Sequence, residues 1–231
     1  MDYFLQTYKK RCKQEFKELG FCACQRNQYR VINDVFQSFC LHRSCYGNNA
    51  TIEFCVLPLS QEYRIDKSTC GSMHLMNFDN SCEWFSYVSD DVESVDICIE
   101  EMLSYAKAHL IPFFEKSTNC PDAYNSLKIF DRKNEIHFNE YIKLIMALKN
   151  QEYILAEKHV ENLIIQCKTA YENNKMACGE DISTDYINKI EKKIKKRKKL
   201  LQLIRNKNYV YIQTWLKNNE LANLQSLGVF L

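Results

Sequence analysis

The sequence predicts an α+β protein, in which an antiparallel β-sheet is backed by two long helices and followed by an all-helical C-terminal bundle. Three features predict it. Residues 28–58 read as extended segments separated by turn residues, with side chains alternating between two faces. Apolar stripes at three- and four-residue spacing flank them, at 4–19 and 95–113. From residue 135 onward the helical period is continuous. The order helix, strands, helix places helices on one face of a sheet. The change near "DRKNEI", 131–136, divides the chain into a sheet part, 1–134, and a helical part, 135–231.

The first helix, "DYFLQTYKKRCKQEFKELG", carries Phe4, Tyr8, Cys12, Phe16 and Leu19 on one stripe, with Lys9, Lys10, Lys13 and Lys17 mostly off it. Gly20 suits a left-handed C-terminal cap. Strands at 28–32 and 35–43 flank Asn33-Asp34, two residues that tolerate turn geometry. In "NNATIEFCVLPL", Ile52, Phe54 and Val56 share one face, while Thr51, Glu53 and Cys55 share the other; Pro58 ends the pairing. "SQEYRIDKSTCG" reads as a loop, and "SMHLMNF", 72–78, as a fourth strand. Asp90 and Glu93 have capping-box spacing at the start of the next helix. Its stripe is Val95, Cys98, Ile99, Met102, Ala106, Leu110 and Phe113, and Pro112 ends or kinks it. Pro121 opens a short helix that runs to about Asp131. Helices follow at 137–149, 152–173, 183–206 and 208–226. A turn at Lys149–Glu152 joins the stripes Tyr141/Leu144/Ile145/Leu148 and Ala156/Val160/Leu163/Cys167, an antiparallel pair without a second copy at a fixed period.

Composition is that of a soluble protein with a substantial core, 46% hydrophobic and 26% charged. Only 5 Gly and 3 Pro argue against long flexible linkers and against phosphate-cradling loops. The start, "MDYFLQTYKKRCKQEF", has no uninterrupted apolar stretch of the signal-peptide kind, and no segment reaches the roughly 20 apolar residues of a membrane span. A cytoplasmic setting is therefore expected, in which the 12 cysteines stay reduced and mostly act as small buried apolar groups.

The order "FKELGF", "YRVINDVFQSFCLHRS", "ATIEFCVLPL", "CEWFSYVSDDVESV", "HLIPFFEKS" and "ALKNQEYILAEKHVENLI" resembles the bacterial domain of unknown function 4304 family, over most of residues 4–170. The resemblance implies an α+β fold and a bacterial, cytoplasmic protein. It carries no catalytic signature and assigns no functional residue.

Motifs for chemistry are few. There is no P-loop, GxSxG, GxGxxG, HExxH or EF-hand loop, and no cofactor is assigned. Cys22-x-Cys24 and Cys40-x4-Cys45 enclose fifteen residues, near a zinc-ribbon length, but lack the usual knuckle spacing, and Cys40 sits mid-strand beside Phe39 and Leu41. Cys70 and Cys82 flank a strand. His42 and His74 belong to strands, and His109, His137 and His159 lie in or near helices.

Two surfaces are candidates for binding. Arg30, Gln37, His42, Arg43, Glu53 and His74 are expected on the sheet face left free by the helices, with Tyr29, Phe36 and Tyr46 adding aromatic area. The run 189–207 holds ten Lys or Arg against the single acid Glu191. There Lys192, Lys195, Lys196 and Lys199 form a patch for an acidic partner, beside a core stripe of Ile187, Ile190, Ile194, Leu201 and Ile204. Residues 1–134 sum to about −3 and the remainder to about +5, so part of that charge can be met within the chain. No aromatic residue interleaves this run, as stacking on single-stranded nucleic acid requires.

The leading expectation is a noncatalytic protein-interaction module, an immunity-type protein being one version. A small hydrolase or nuclease using Glu53 with His42 or His74 is the enzyme alternative, and nucleic-acid binding through 189–207 is the third. No membrane partner is expected. Trp215 and Leu227 either close the bundle or face a second copy.

Overall fold

The computed structural model describes residues 2–71, 73–75, 78, 84–134, 140–178 and 183–229, with the backbone alone at 129–134 and 178. Helix α1 (Tyr3–Phe16) starts where the Asp2 carboxylate accepts from the Leu5 N–H, 3.3 Å. Past its end Gly20 takes a φ of 81°, and the Phe21 N–H donates back to the Phe16 carbonyl. This is the left-handed cap expected of that glycine.

Among the described residues the sheet has six strands: β1 (Cys22–Cys24), β2 (Asn27–Ile32), β3 (Val35–Arg43), β4 (Asn49–Pro58), β5 (Met73–His74) and β6 (Phe85–Ser86). They run antiparallel in the order β1-β2-β3-β4-β5, and β6 also pairs with β4. Ile32 pairs with Val35 across Asn33-Asp34, where Asn33 takes a positive φ of 49°. The short strands β1 and β6 escape a reading by periodicity because two or three residues carry no period. The strand expected at 72–78 forms at Met73–His74; residues 72, 76 and 77 lie outside the described residues, as do Cys82 and His137.

Helix α2 (Val92–Tyr105) is capped by Asp91, one residue later than the Asp90–Glu93 spacing suggests; its carboxylate accepts from the N–H groups of Glu93 and Ser94. A π-helical turn, Ala106–Leu110, then leads into α3 (Ile111–Glu115). Pro112 has no N–H to give, and the wider turn just before it absorbs that loss without ending the helical path.

Helices α1 and α2–α3 cover one face of the sheet. Phe39 packs on Phe16 at 4.9 Å between ring centroids, and Phe54 packs on Phe113 at 5.7 Å. Helices α4 (Cys120–Asn134), α5 (Glu140–Lys149), α6 (Tyr153–Cys178), α7 (Thr184–Arg205) and α8 (Tyr209–Leu227) follow. The same apolar core runs on into α5–α8 through Leu144, Ile145, Val160, Ile204 and Leu216.

The opposite face of the sheet is partly covered as well. Phe36 and Cys55 meet Leu59, Ile65, Leu224 and Leu227 in a smaller cluster. Leu227 thus closes the fold. Asn223 of α8 knits the loop 59–65 in place: its amide donates to the carbonyls of Leu59 (2.8 Å) and Gln61 (3.0 Å) and accepts from the Ile65 N–H (2.8 Å).

In the helical part His159 is buried, with Nδ1 2.7 Å from the Glu140 carboxylate and Nε2 3.1 Å from the Tyr124 hydroxyl. Burial raises the pKa of Glu140, but the His159 hydrogen bond and charge, with Lys143 nearby, outweigh it and hold the carboxyl below its usual range. A carboxylate with a depressed folded-state pKa contributes stability above its unfolded pKa and loses it as pH falls through the folded value. The melting temperature is therefore expected to fall on acidification below about pH 4.5, and less steeply in His159→Gln, as read from melts of both proteins across that range.

Candidate functional site

Alternation on β3 and β4 sorts the predicted sheet residues into two groups. Cys40 pairs with Glu53, and Glu53 with His74, while Asn27 of β2 pairs with Cys40. One row of side chains therefore crosses four strands on the face away from α1 and α2, with His42 two residues along β3. His42 Nδ1 lies 2.8 Å from Glu53 Oε1, and His74 Nε2 lies 3.8 Å from the same oxygen. The two imidazole rings are 5.4 Å apart, and Trp84 stands 5.2 Å from His42 and 6.1 Å from His74.

Arg30, Gln37 and Arg43 do not join them, which corrects the expectation of one shared face. Gln37 and Arg43 differ from His42 by an odd number of positions, so β3 points them to the helix side. Gln37 is fully buried; its amide donates to the carbonyls of Phe114 (2.7 Å) and Ser117 (2.8 Å) and accepts from Arg30 Nε (2.7 Å). The Arg30 guanidinium lies 4.6 Å from the centre of the Phe21 ring. Arg43 binds the Asp2 carboxylate and the Tyr87 hydroxyl. These three are packing and anchoring residues. Tyr29 stacks on Phe36, and Tyr46 stands exposed in the turn before β4.

Two cysteines complete the row. Cys40 Sγ is 3.9 Å from Glu53 Oε2, and the Cys70 thiol donates to the Glu53 carbonyl at 3.5 Å. The ligand atoms of Cys40, Glu53 and Cys70 lie within 4.8 Å of one another, and among the described residues no other such trio gathers. Cys22, Cys24 and Cys45 do not meet Cys40 in such a group, so the zinc-ribbon spacing does not become a site. Cys70 arrives on the loop after Ile65, held by donation from Asn27 Nδ2 to the carbonyls of Lys67 and Thr69 and from Ser38 Oγ to that of Thr69. Gly71 then runs hard against β4. The neighbouring Cys70 thiol and burial together raise the Cys40 pKa, and burial lowers that of His74, so neither is poised as an ionised group.

The second candidate surface lies on α7 and α8. Lys192, Lys195, Lys196 and Lys199 are exposed along α7. Lys196 meets Glu62, whereas Lys192, Lys193, Lys195, Lys198 and Lys199 have no carboxylate partner among the described residues. Among the described residues, therefore, one of these lysines has its charge met by a carboxylate. Beside them lies a cavity of about 210 Å³, lined by Lys196, Arg197, Lys199, Leu200, Leu203 and Trp215, among others. Arg197 occupies the core stripe seven residues from both Ile190 and Ile204 and is only 9% exposed. Its guanidinium sits 4.6 Å over the Tyr141 ring, and among the described residues its Nε–H finds no hydrogen-bond partner. In a basic run this residue looks like one more surface charge; only the heptad position distinguishes it.

No family model matches the chain, and no curated protein or solved structure does either.

Proposed function

We propose that the protein is a noncatalytic interaction module that docks an acidic segment of a partner protein on the α7–α8 face. The observation that carries this reading is the pairing of lysines without a carboxylate partner among the described residues with a cavity that has an apolar wall and a buried guanidinium. Such a surface offers a carboxylate-bearing segment both charge and an anchor point for one apolar side chain. Arg197, held by Tyr141, provides a preorganised fork for a carboxylate. A nucleic acid would use the lysines but leave Leu200, Leu203 and Trp215 unused.

The test is fluorescence anisotropy with labelled Glu-rich peptides, with and without a central leucine, against duplex DNA of equal charge. The leucine-bearing peptide is expected to bind most tightly, more weakly as salt rises, and at least about tenfold more weakly to Lys195→Glu/Lys199→Glu. Tighter binding of DNA than of any peptide, or no binding at low salt, removes the proposal.

One observation favours a second reading, a small hydrolase or nuclease: Glu53, His42 and His74 converge, as acid–base chemistry requires. Hydrolysis of a nitrophenyl ester or phosphodiester that is abolished in Glu53→Gln would move the function to this cluster. Among the described residues no helix is long and apolar enough to cross a membrane.

A further inference from the structure

The row on the outer sheet face has the composition of a metal centre. Two thiols, a carboxylate and two imidazoles come from four chain segments, and none of them belongs to the α7–α8 surface. Tetrahedral zinc binds thiolate at about 2.3 Å and carboxylate oxygen at about 2.0–2.2 Å, which places a sulfur and an oxygen donor about 3.6 Å apart. The 3.9 Å between Cys40 Sγ and Glu53 Oε2 is close to that spacing, and the whole trio fits inside 4.8 Å. Mixed sulfur, nitrogen and oxygen donors select zinc over magnesium or calcium, which take oxygen.

We propose that Cys40, Cys70 and Glu53 bind zinc(II) and that His74, which lies outside the trio with Nε2 3.8 Å from Glu53 Oε1, swings in as the fourth donor. Glu53 ligates through Oε2, the oxygen nearer Cys40, while His42 Nδ1 holds Oε1 at 2.8 Å and fixes the carboxylate's orientation. On binding, each thiol gives up its proton to solvent and becomes a thiolate ligand; two thiolates and one carboxylate then leave the bound ion with one net negative charge. The ion closes the ring formed by β3, β4, β5 and the Cys70 loop. Cys40 is buried and Cys70 half-buried, so the centre lies at the edge of the protein and remains open to loading.

The experiment uses the full chain, reduced with a phosphine and loaded with one equivalent of zinc(II), in competition with a chromophoric chelator. One zinc per chain is expected. Cys70→Ser and Glu53→Gln are expected to weaken it by more than about 100-fold and His42→Ala by about tenfold, while Cys22→Ser/Cys45→Ser leaves it unchanged. Folded wild-type protein that retains no zinc, or equal loss in the Cys22/Cys45 variant, overturns the proposal. Cobalt(II) substitution of the wild type gives a readout that does not depend on variants folding. Intense tetrahedral bands with thiolate-to-cobalt charge transfer are expected, and a weak octahedral spectrum without charge transfer overturns the site.

Discussion

Gly71→Ala is expected to cost about 3 kcal/mol, the upper part of the usual range for overpacking, and to lower the melting temperature by roughly 6–12 °C. A Cβ at this position would lie 2.5 Å from the Cys55 Cβ and closer still to the Phe54 carbonyl oxygen. Both are parts of β4, a strand in the middle of the sheet, so the strand cannot yield; the loop must. Moving it pulls Cys70 away from Cys40 and Glu53 and breaks the pairing of His74 with Glu53. Thermal melts of the two proteins decide the matter, together with the rate at which a thiol reagent labels Cys70 in each. Alanine tolerated within about 0.5 kcal/mol, with unchanged labelling, would show that the loop has slack the structure does not display.

Gln37→Leu is the second large effect, at about 3–5 kcal/mol. Leucine fills the space but leaves the carbonyls of Phe114 and Ser117 without their donor, beside side chains that are fully buried. It also strips Arg30 Nε of its acceptor, and burial already lowers that guanidinium's pKa. Each abandoned buried group costs about 1–3 kcal/mol. Gln37→Glu separates the contributions: it keeps an acceptor for Arg30 but cannot donate to the two carbonyls. Urea titrations of the three proteins should therefore rank wild type first, Gln37→Glu second and Gln37→Leu last. A leucine variant as stable as wild type would mean that the α3–α4 junction re-forms its hydrogen bonds elsewhere.

Gln37 also shows how far the sequence could be read. Its strand was legible to the residue, since β3 runs from Val35 to Arg43 as the turn at Asn33-Asp34 and the apolar alternation suggest. Its face was legible too, because positions 37 and 42 have opposite parity; grouping them by polarity alone overrode that rule. The amphipathic helices were legible because their stripes repeat over several turns, and the C-terminal helices fall close to the expected ranges. The candidate metal centre was only partly legible. Glu53, His42 and His74 carry their alternation on their sleeves, but Cys70 reaches them through a loop whose path depends on Asn27, Ser38 and Gly71, and no local period encodes that. Arg197 was hidden for the opposite reason. It conforms to the surrounding run of cations in type, and the stripe that buries it tolerates an arginine only because Tyr141, more than fifty residues earlier, offers its ring.

The clamp made by Asn223 has a consequence for the order of events during synthesis. It joins residues 158 to 164 positions apart, and the groups it satisfies belong to the loop that leads into the Cys70 turn. Until α8 has left the ribosome, the carbonyls of Leu59 and Gln61 stay wet and Leu59 and Ile65 lack their cover. Closing so long a loop adds little to the equilibrium cost, which grows only with the logarithm of its length. It does place the closure late, because contacts of such high sequence separation slow folding. The nascent chain would thus carry a finished hairpin and an unfinished strap, and maturation of the sheet's outer face would wait for α8.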